Sequence, residues 1–400
     1  MAATPASTLL ESGKCYACYG ASFVDTIELA LWDLISQNTS SDPYDGLLVY
    51  TRQGLGTTTV VNPVGAYNLT FGANRVTEIH CHNCPLITSL TCDSSNVLTV
   101  VDLENCATLD TIRFQGATAL VSVDLSTFID VAIRLDFRGC TSLTLVDLSN
   151  LQTVGWIDFG LTAMAAINLP LLATASYLGG DSITVPNTFS APQLTTVDGF
   201  IQFGGNSGLT SFSAPLLQQF TAGQMLFNGC ASLLSISLPS LSVAGGSIIA
   251  GGCSSLSVVA LPLLQNVAGN INFPDAVSLV SVDLGSLQIS DYIVFDQCPL
   301  LAAISLSSYA IPVQGLSADS CSSLVTVGFN GSPISDGGEI LMPGCALSQA
   351  SVDLVLAAGV AGGMTGGAID LGGGTSSAPS AAGLVDAGIL TTAGVSVTTN

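Results

Sequence analysis

Basic residues are nearly missing from this chain. Lys14, Arg52, Arg75, Arg113, Arg134 and Arg138 are all that 400 residues contain, and none follows Gly139, where fourteen Asp and Glu remain. With a formal net charge of −22, the chain lacks the clustered Lys and Arg that nucleic acid or an anionic bilayer requires. Charge of either sign is scarce, at 8% of residues, while hydrophobic residues make up 48%. That hydrophobic content excludes the disorder that a high net charge would otherwise suggest. Long apolar runs are missing too. Mean hydropathy is +0.62, yet no stretch of about 18 uninterrupted apolar residues occurs, so no membrane insertion is expected. The opening MAATPASTLL has neither the basic segment nor the apolar core of a secretory signal.

What the chain does have is a repeat. The stretch CSSLSVVALPLLQNVAGNINF, 253–273, holds a buried-looking triplet of Leu256, Val259 and Leu261, a corner at Pro262 and a second apolar step from Ile271 to Phe273. The triplet returns as Leu233/Ile236/Leu238, Leu279/Val282/Leu284, Leu301/Ile304/Leu306 and Leu324/Val327/Phe329, at intervals of 22 to 24 residues. A fixed period of that length signals a solenoid, in which each turn packs only on its neighbours. Earlier in the chain, triplets begin at Val76, Ile87, Leu98, Leu109, Leu120, Ala132, Leu143, Val154 and Met164, close to eleven apart. Two such steps per period predict two strands per turn, one on each side. One side keeps the triplet; the other keeps a Phe, as in Phe114, Phe137, Phe203, Phe227, Phe273 and Phe295, whose spacing predicts rings stacked inside the coil. FSAP at 189–192 and again at 212–215 places a further turn on Pro186, giving about twelve turns in all.

Four regions follow. Residues 1–46 read as a helical segment, with Phe23, Ile27, Leu31, Leu34 and Ile35 on one face, ended by SSDPYDG. Residues 47–75 read as a β lead-in, 76–329 as the solenoid and 330–400 as an αβ cap. Within the cap, a helix from Leu347 to Val360 with Ser348 at its start, a strand at 368–371, a helix at 381–392 and a strand at 395–399 are expected. Such a unit would close the open end of the array.

The Cys-x-x-Leu-x-x-Ile-x-Leu-Pro pattern, seen at 253–262 and closely at 230–239, resembles leucine-rich repeats of the receptor L-domain and BspA-like kinds. The resemblance spans about 250 residues and implies a mainly β, right-handed β-solenoid of leucine-rich-repeat type. Both ends, GKCYACYG at 13–20 and IDLGGGTSSAP followed by GVSVTTN, resemble phage-encoded structural and tail proteins. The expected location is accordingly a virion, or else the cell surface or extracellular space.

Cysteine and histidine raise a zinc reading first. Cys15-x-x-Cys18 and Cys81-x-x-Cys84, with His80 and His82, would supply enough ligands. The repeat frame favours packing instead: Cys84, Cys106, Cys140, Cys230, Cys253, Cys298 and Cys321 each precede a triplet by three residues, and Asn206 holds that place before Leu209. Cys81 and Cys92 fall on a core-facing triplet position, which leaves Cys15 and Cys18 without an assignment. His80 and His82 read as ordinary surface histidines on one strand.

The acidic residues form rows. Asp102, Asp124 and Asp147, with Asn168 next, should occupy an outward slot on successive turns, and Asp136 and Asp158 the matching slot on the other side, beside Arg113. Carboxylates stacked at ~4.8 Å need solvent, protonation or a hard cation, so Asp102, Asp124 and Asp147 are the candidate ligands for calcium. Paired carboxylates could also cleave a polysaccharide. No nucleophile elbow, catalytic triad spacing or phosphate-binding loop accompanies them. The preferred expectation is a non-enzymatic, tail-associated virion protein, structural or receptor-binding. Its partners would be a protein or surface-glycan ligand and other virion proteins, and oligomers are compatible with it. The alternatives are a bacterial cell-surface adhesin or a polysaccharide-cleaving β-solenoid enzyme.

Overall fold

In a computed structural model, the described residues are 46–51, 58–60, 67–70, 76–82 and 87–400, except 105, 107–108, 285, 307–312 and 330–332. Side chains are described from Thr77 onward, apart from 80–82, 104 and 313–314. The expected helix at 1–46 therefore lies outside the described residues, as do Lys14, Cys15, Cys18, Arg52, Arg75 and Cys84. The chain divides into two compact units, 1–176 and 177–400.

The first unit stacks parallel strands on two sides. On one side, 76–82, 100–104, 122–124 and 145–147 pair in register, with 46–51 and 58–60 added antiparallel at the start. On the other side, 67–70, 87–91, 111–113, 130–136 and 153–158 pair in the same parallel way. Alternation along each strand points one set of side chains inward. Leu120, Val123 and Leu125 are buried between the sides, as are Leu109, Ile112 and Phe114.

In the second unit, strands 187–190, 209–213, 235–237, 258–260 and 281–283 form one parallel ladder. A second ladder runs through 201–202, 225–226, 248–249, 271–272, 292–294 and 313–317. Between them stands a third, 196–197, 219–220, 243–244 and 266–267, so these turns carry three short strands where the sequence suggested two. Glycines make the extra bend. Gly223 takes φ +70°, and a Cβ on Gly246 would stand 1.7 Å from the Gly223 carbonyl oxygen.

The expected core is present except at Val282, which is only half-buried. Leu233, Ile236, Leu238, Leu256, Val259, Leu261, Leu301 and Leu306 are fully buried. Phenylalanines stack from turn to turn within each unit, with ring centroids 5.7 Å apart for Phe137–Phe159, 6.0 Å for Phe203–Phe227 and 6.1 Å for Phe273–Phe295. Two anchors differ from the sequence reading. Val131, not Ala132, is the buried residue of its turn, because strand 130–136 holds one more residue than its partner between Val154 and Trp156. Likewise Asn187, not Pro186, is the residue that pairs with Leu209, and its side chain is buried. Both shifts are β-bulges, which an apolar count cannot register.

Among the described residues, turn after turn enters its core through the same corner. A residue with positive φ comes first: Ser94, Gly116, Gly139 and Leu161 in the first unit, and Gly205, Gly229, Gly252, Asp275, Gln297, Ser320 and Gly344 among those of the second. At most of these corners the next residue is small and buried, as at Ser95, Ala117, Cys140, Asn206, Cys230, Cys253, Cys298, Cys321 and Cys345. At Cys140, Asn206, Cys230, Cys253, Cys298, Cys321 and Cys345 that side chain reaches back to a carbonyl of the preceding turn, whereas Ser95 Oγ accepts from Leu98 N and Ala117 only fills space. Cys140 Sγ donates to Phe114 O at 2.9 Å, Cys253 Sγ to Phe227 O at 3.0 Å and Cys321 Sγ to Phe295 O at 3.0 Å. Asn206 makes the same contact with its amide, Nδ2 to Gly180 O at 2.7 Å. A buried carbonyl without a donor would cost about 1–3 kcal/mol, a cost the Cys and Asn side chains avoid where they fill the slot.

After residue 330 the ladder does not stop. Strands 334–341, 368–370 and 396–398 extend the line begun by 313–317. Between them stand α1 (Gln349–Ala361) and α2 (Ala381–Ala393). Ser348 and Ser380 cap them, accepting from the N–H groups of Ser351 and Gly383. The expected αβαβ order is thus present, grafted onto solenoid turns. Among the described residues, no helix is long and apolar enough to cross a membrane.

Candidate recognition surfaces

Two charged features of the first unit stand out. On the first side, Asp102 pairs with Asp124 and Asp124 with Asp147, so the expected row exists in register on three adjacent strands. His80 holds the register position before Asp102. Asn168 does not continue the row. Strand 145–147 is the end of that sheet, and strand 166–168 is not hydrogen-bonded to it.

Two carboxylates of the row also have a local task. Asp124 Oδ1 accepts from Ser126 N at 2.9 Å, and Asp147 Oδ1 from Ser149 N at 3.0 Å. These are side-chain turns two residues ahead, the way Asp commonly closes a chain reversal. Asn150 Nδ2 adds a bond to Ser126 O at 2.7 Å, tying one corner to the next. Among the described residues, no group of three or more His, Cys, Asp or Glu side chains is placed to hold a metal ion.

On the other side, the expected outward slot proves to be an enclosed one. Asp136 is 0% exposed and Asp158 3%, although both sit in register on neighbouring strands as the spacing implies. Arginines cover them. Arg134 contacts Asp136 Oδ2 through Nε at 3.1 Å and Nη2 at 2.7 Å, while Arg113 Nε lies 4.0 Å from the same oxygen. Asp136 Oδ1 accepts from Arg138 N at 3.0 Å. Arg138 Nη1 lies 3.6 Å from Asp158 Oδ2, and Asp158 Oδ1 accepts from Gly160 N at 2.8 Å. Arg113 Nη2 reaches Asp93 Oδ2 at 2.6 Å, completing a ladder of alternating sign: Asp93, Arg113, Asp136, Arg138, Asp158. The physical reason for the burial is this pairing, because an enclosed carboxylate persists only when opposite charge and hydrogen bonds meet it.

The bulge beside Ala132 contributes to the arrangement. Ile133 N and Arg134 N both donate to Asp110 O, at 3.0 and 2.9 Å, so one carbonyl holds two successive residues. The extra residue turns Arg134 onto Trp156, with its guanidinium carbon 4.8 Å from the ring centroid. The spacing put Asp136 and Asp158 beside Arg113, but it did not foresee their enclosure, their pairing with Arg134 and Arg138, or the stacking of Arg134 on Trp156. The signal was available in the gathering of Arg113, Arg134 and Arg138 within 26 residues of an otherwise base-poor chain. Burial pushes the Asp93 carboxyl above its usual range, although the Arg113 guanidinium pulls it down.

Cys92, Cys106, Cys140, Cys230, Cys253, Cys298, Cys321 and Cys345 are buried and unbridged. Burial raises the thiols of Cys92 to about 11 and of Cys140 and Cys345 to about 12. A hydrogen bond that their protonated thiols donate to Cys253 and Cys321, together with burial, raises Cys230 and Cys298. Cys345, which the sequence reading left out, stands three residues before Ser348 and donates to Ala318 O at 3.1 Å, like the others in its column.

Buried Leu and Ile columns, stacked phenylalanines, and a corner slot filled by Cys or Asn define the class: a β-solenoid of leucine-rich-repeat type. No protein-family profile matches the chain, and no curated protein matches it. Among solved structures, it is similar to a leucine-rich repeat protein from Bacteroides ovatus, at 16% identity and a TM-score of 0.33, over 76% of this chain and 82% of that one.

Proposed function

We propose that the chain is a non-enzymatic recognition protein of a virion, tail-associated, which binds a protein or surface-glycan ligand through the outward side chains of its ladders. The observation that carries this reading is the fixed outward grid. Ser213 pairs with Ser237, Ser237 with Ala260 and Ala260 with Asp283, rung on rung, with hydrogen-bonded corners locking each step. Short hydroxyl and carboxylate groups at constant spacing suit an extended ligand, and a rigid display lowers the ordering cost of binding. The carboxylates best placed for catalysis, Asp136 and Asp158, are enclosed and paired with arginine, which supports the non-enzymatic assignment. The likeness of both chain ends to phage structural and tail proteins supports the virion setting.

Sparse aromatic residues imply weak single-site affinity, so attachment would rely on several copies. The test compares multimeric and monomeric protein on candidate host cells and surface glycans, together with mass spectrometry of purified particles. Binding by the multimer, much weaker binding by the monomer and presence in particles are expected. Release of reducing ends that vanishes in Asp136→Asn would overturn the non-enzymatic assignment, and absence from particles would overturn the virion setting.

A further inference from the structure

The second unit's last helix, α2 (Ala381–Ala393), carries its large apolar side chains toward solvent. Gly383 and Leu390 are its two buried residues. Both face α1: a Cβ on Gly383 would run into Asp353 Oδ1, and Leu390 Cδ2 would stand 3.2 Å from a Cβ on Gly359. At about 100° per residue, Leu384, Val385 and Ile389 fall on the opposite half of the helix. They are 60%, 61% and 48% exposed. A terminal repeat ordinarily turns a polar face to water, and this one turns Leu, Val and Ile. Ala381, Gly388 and Thr392 lie among them, also exposed. Thr392 Oγ1 donates to Gly388 O at 2.7 Å, so even the hydroxyl of this side is engaged within the helix. The one charged residue of α2, Asp386, is half-buried on the flank toward α1.

Gly388 is a second, independent observation. Glycine destabilises a helix interior relative to alanine. Contact with Asp353 accounts for Gly383, but a Cβ on Gly388 would meet nothing within 4 Å. The chain's own packing gives no reason for a glycine there. Close approach of another helix does, because a bare Cα lets a facing side chain settle against the backbone.

We infer that this face joins two copies of the chain, α2 against α2, antiparallel about a two-fold axis. The face fits itself. With the axis level with the midpoint of Asp386 and Ala387, Gly388 of one copy lies level with Val385 of the other, and Ala381 with Thr392. Leu384 and Ile389 close the two sides of the contact. Charge selects the same occupant. The second unit holds twelve Asp and Glu and no Lys or Arg, so copies repel over most of its surface. The solvent side of α2 carries no charge, so two copies meet there with least repulsion, and a charged partner finds nothing to pair with. A two-fold contact uses the same patch twice and closes at two copies. The inference goes beyond the recognition reading, which requires several copies without saying where any two of them meet.

The experiment measures the mass of the full chain by sedimentation from roughly 0.1 to 100 μM. A dimer at twice the chain's 40.5 kDa is expected at the upper concentrations, with no larger species. Leu384→Asp/Val385→Asp should weaken it by roughly a hundredfold or more, because the contact would enclose carboxylates without partners. Gly388→Leu separates a joint from a purely internal role. A Cβ there meets nothing in its own chain, so at dilution the variant should melt as high as the parent or higher. Its dimerisation should nevertheless fall by roughly tenfold or more, since the added side chain fills the approach. Leu263→Asp, at a residue 51% exposed elsewhere in the second unit, should leave the dimer intact. A monomer at every concentration overturns the proposal, and so does a mass that keeps growing past the dimer. An equal loss in Leu263→Asp, or a dimer indifferent to both α2 changes, removes the contact from this face and overturns it as well. Ligand binding is scored apart: a monomer that still binds cells or glycans sinks the joint alone, while an intact dimer that binds neither removes the recognition reading alone.

Discussion

At the scale of single residues, the corner slot explains the cysteine content of the chain. Thiol, amide or hydroxyl is tolerated because each can satisfy a buried group while remaining small. Asn206 gives the clearest test. It donates to Gly180 O and exchanges hydrogen bonds with Asn187 at 2.8 and 3.3 Å in a site closed to water. Asn206→Ala leaves a carbonyl and the Asn187 amide without those partners and should destabilise the protein by about 2–4 kcal/mol, read from urea denaturation. Asn206→Cys, which restores the column's usual donor, should cost less. The buried thiols set an alkaline limit by the same logic. Burial lifts three of them above the ordinary thiol range near 9, Cys92 to about 11 and Cys140 and Cys345 to about 12. The neutral thiols' contribution is complete below pH 9, where both states hold the proton, and is lost as pH rises from about 9 through the folded values. Denaturation midpoints should be level below pH 9 and fall above it, with a shallower fall in Cys140→Ala. Alkylation of Cys92, Cys140 or Cys345 in the native protein near pH 9, located by mass spectrometry, would contradict this.

At the scale of elements, the bulge in strand 130–136 decides more than its size suggests. It moves the buried anchor from Ala132 to Val131 and directs Arg134 toward Asp136 and Trp156. Gly155 makes room for it, since a Cβ there would stand 2.3 Å from Ala132 O and 2.7 Å from Ile133 O. Gly155→Ala should therefore cost about 1–3 kcal/mol, as overpacking against backbone does. It should also disturb Trp156 fluorescence, because the indole lies under the Arg134 guanidinium. Gly328→Ala supplies the comparison: its Cβ would meet nothing within 4 Å, so a small effect is expected.

For the whole molecule, the distribution of charge separates the two units. The first holds the ladder of Arg113, Arg134 and Arg138 with Asp93, Asp136 and Asp158. The second has twelve Asp and Glu and no Lys or Arg. Salt screens the self-repulsion of the second unit and weakens the partly exposed ion pairs of the first. Hydrogen exchange at low and high salt should show protection rising across 177–400 and level or falling around 111–138. A uniform response across both units would mean that charge does not govern their stability.

The sequence by itself determined the repeat. Period, apolar spacing, Phe columns and the cysteine slot depend on contacts between equivalent positions of neighbouring turns, and the Ser348 cap on a contact three residues along the chain. A fixed interval in the chain becomes a fixed stack in space, so those features can be read by counting. The row of Asp102, Asp124 and Asp147 was legible for the same reason. Tertiary structure alone decided whatever breaks the count. A bulge adds one residue and reverses which side chain faces inward, so Asn187 and Val131 replaced Pro186 and Ala132 as anchors. Glycine bends gave the second unit a third ladder, because backbone twist carries no apolar signature. Asp136 and Asp158 share the spacing of exposed residues, yet they are enclosed, because arginines from their own and a neighbouring strand close over them. Burial of a charge is set by its partners in space, and those partners do not recur with the period.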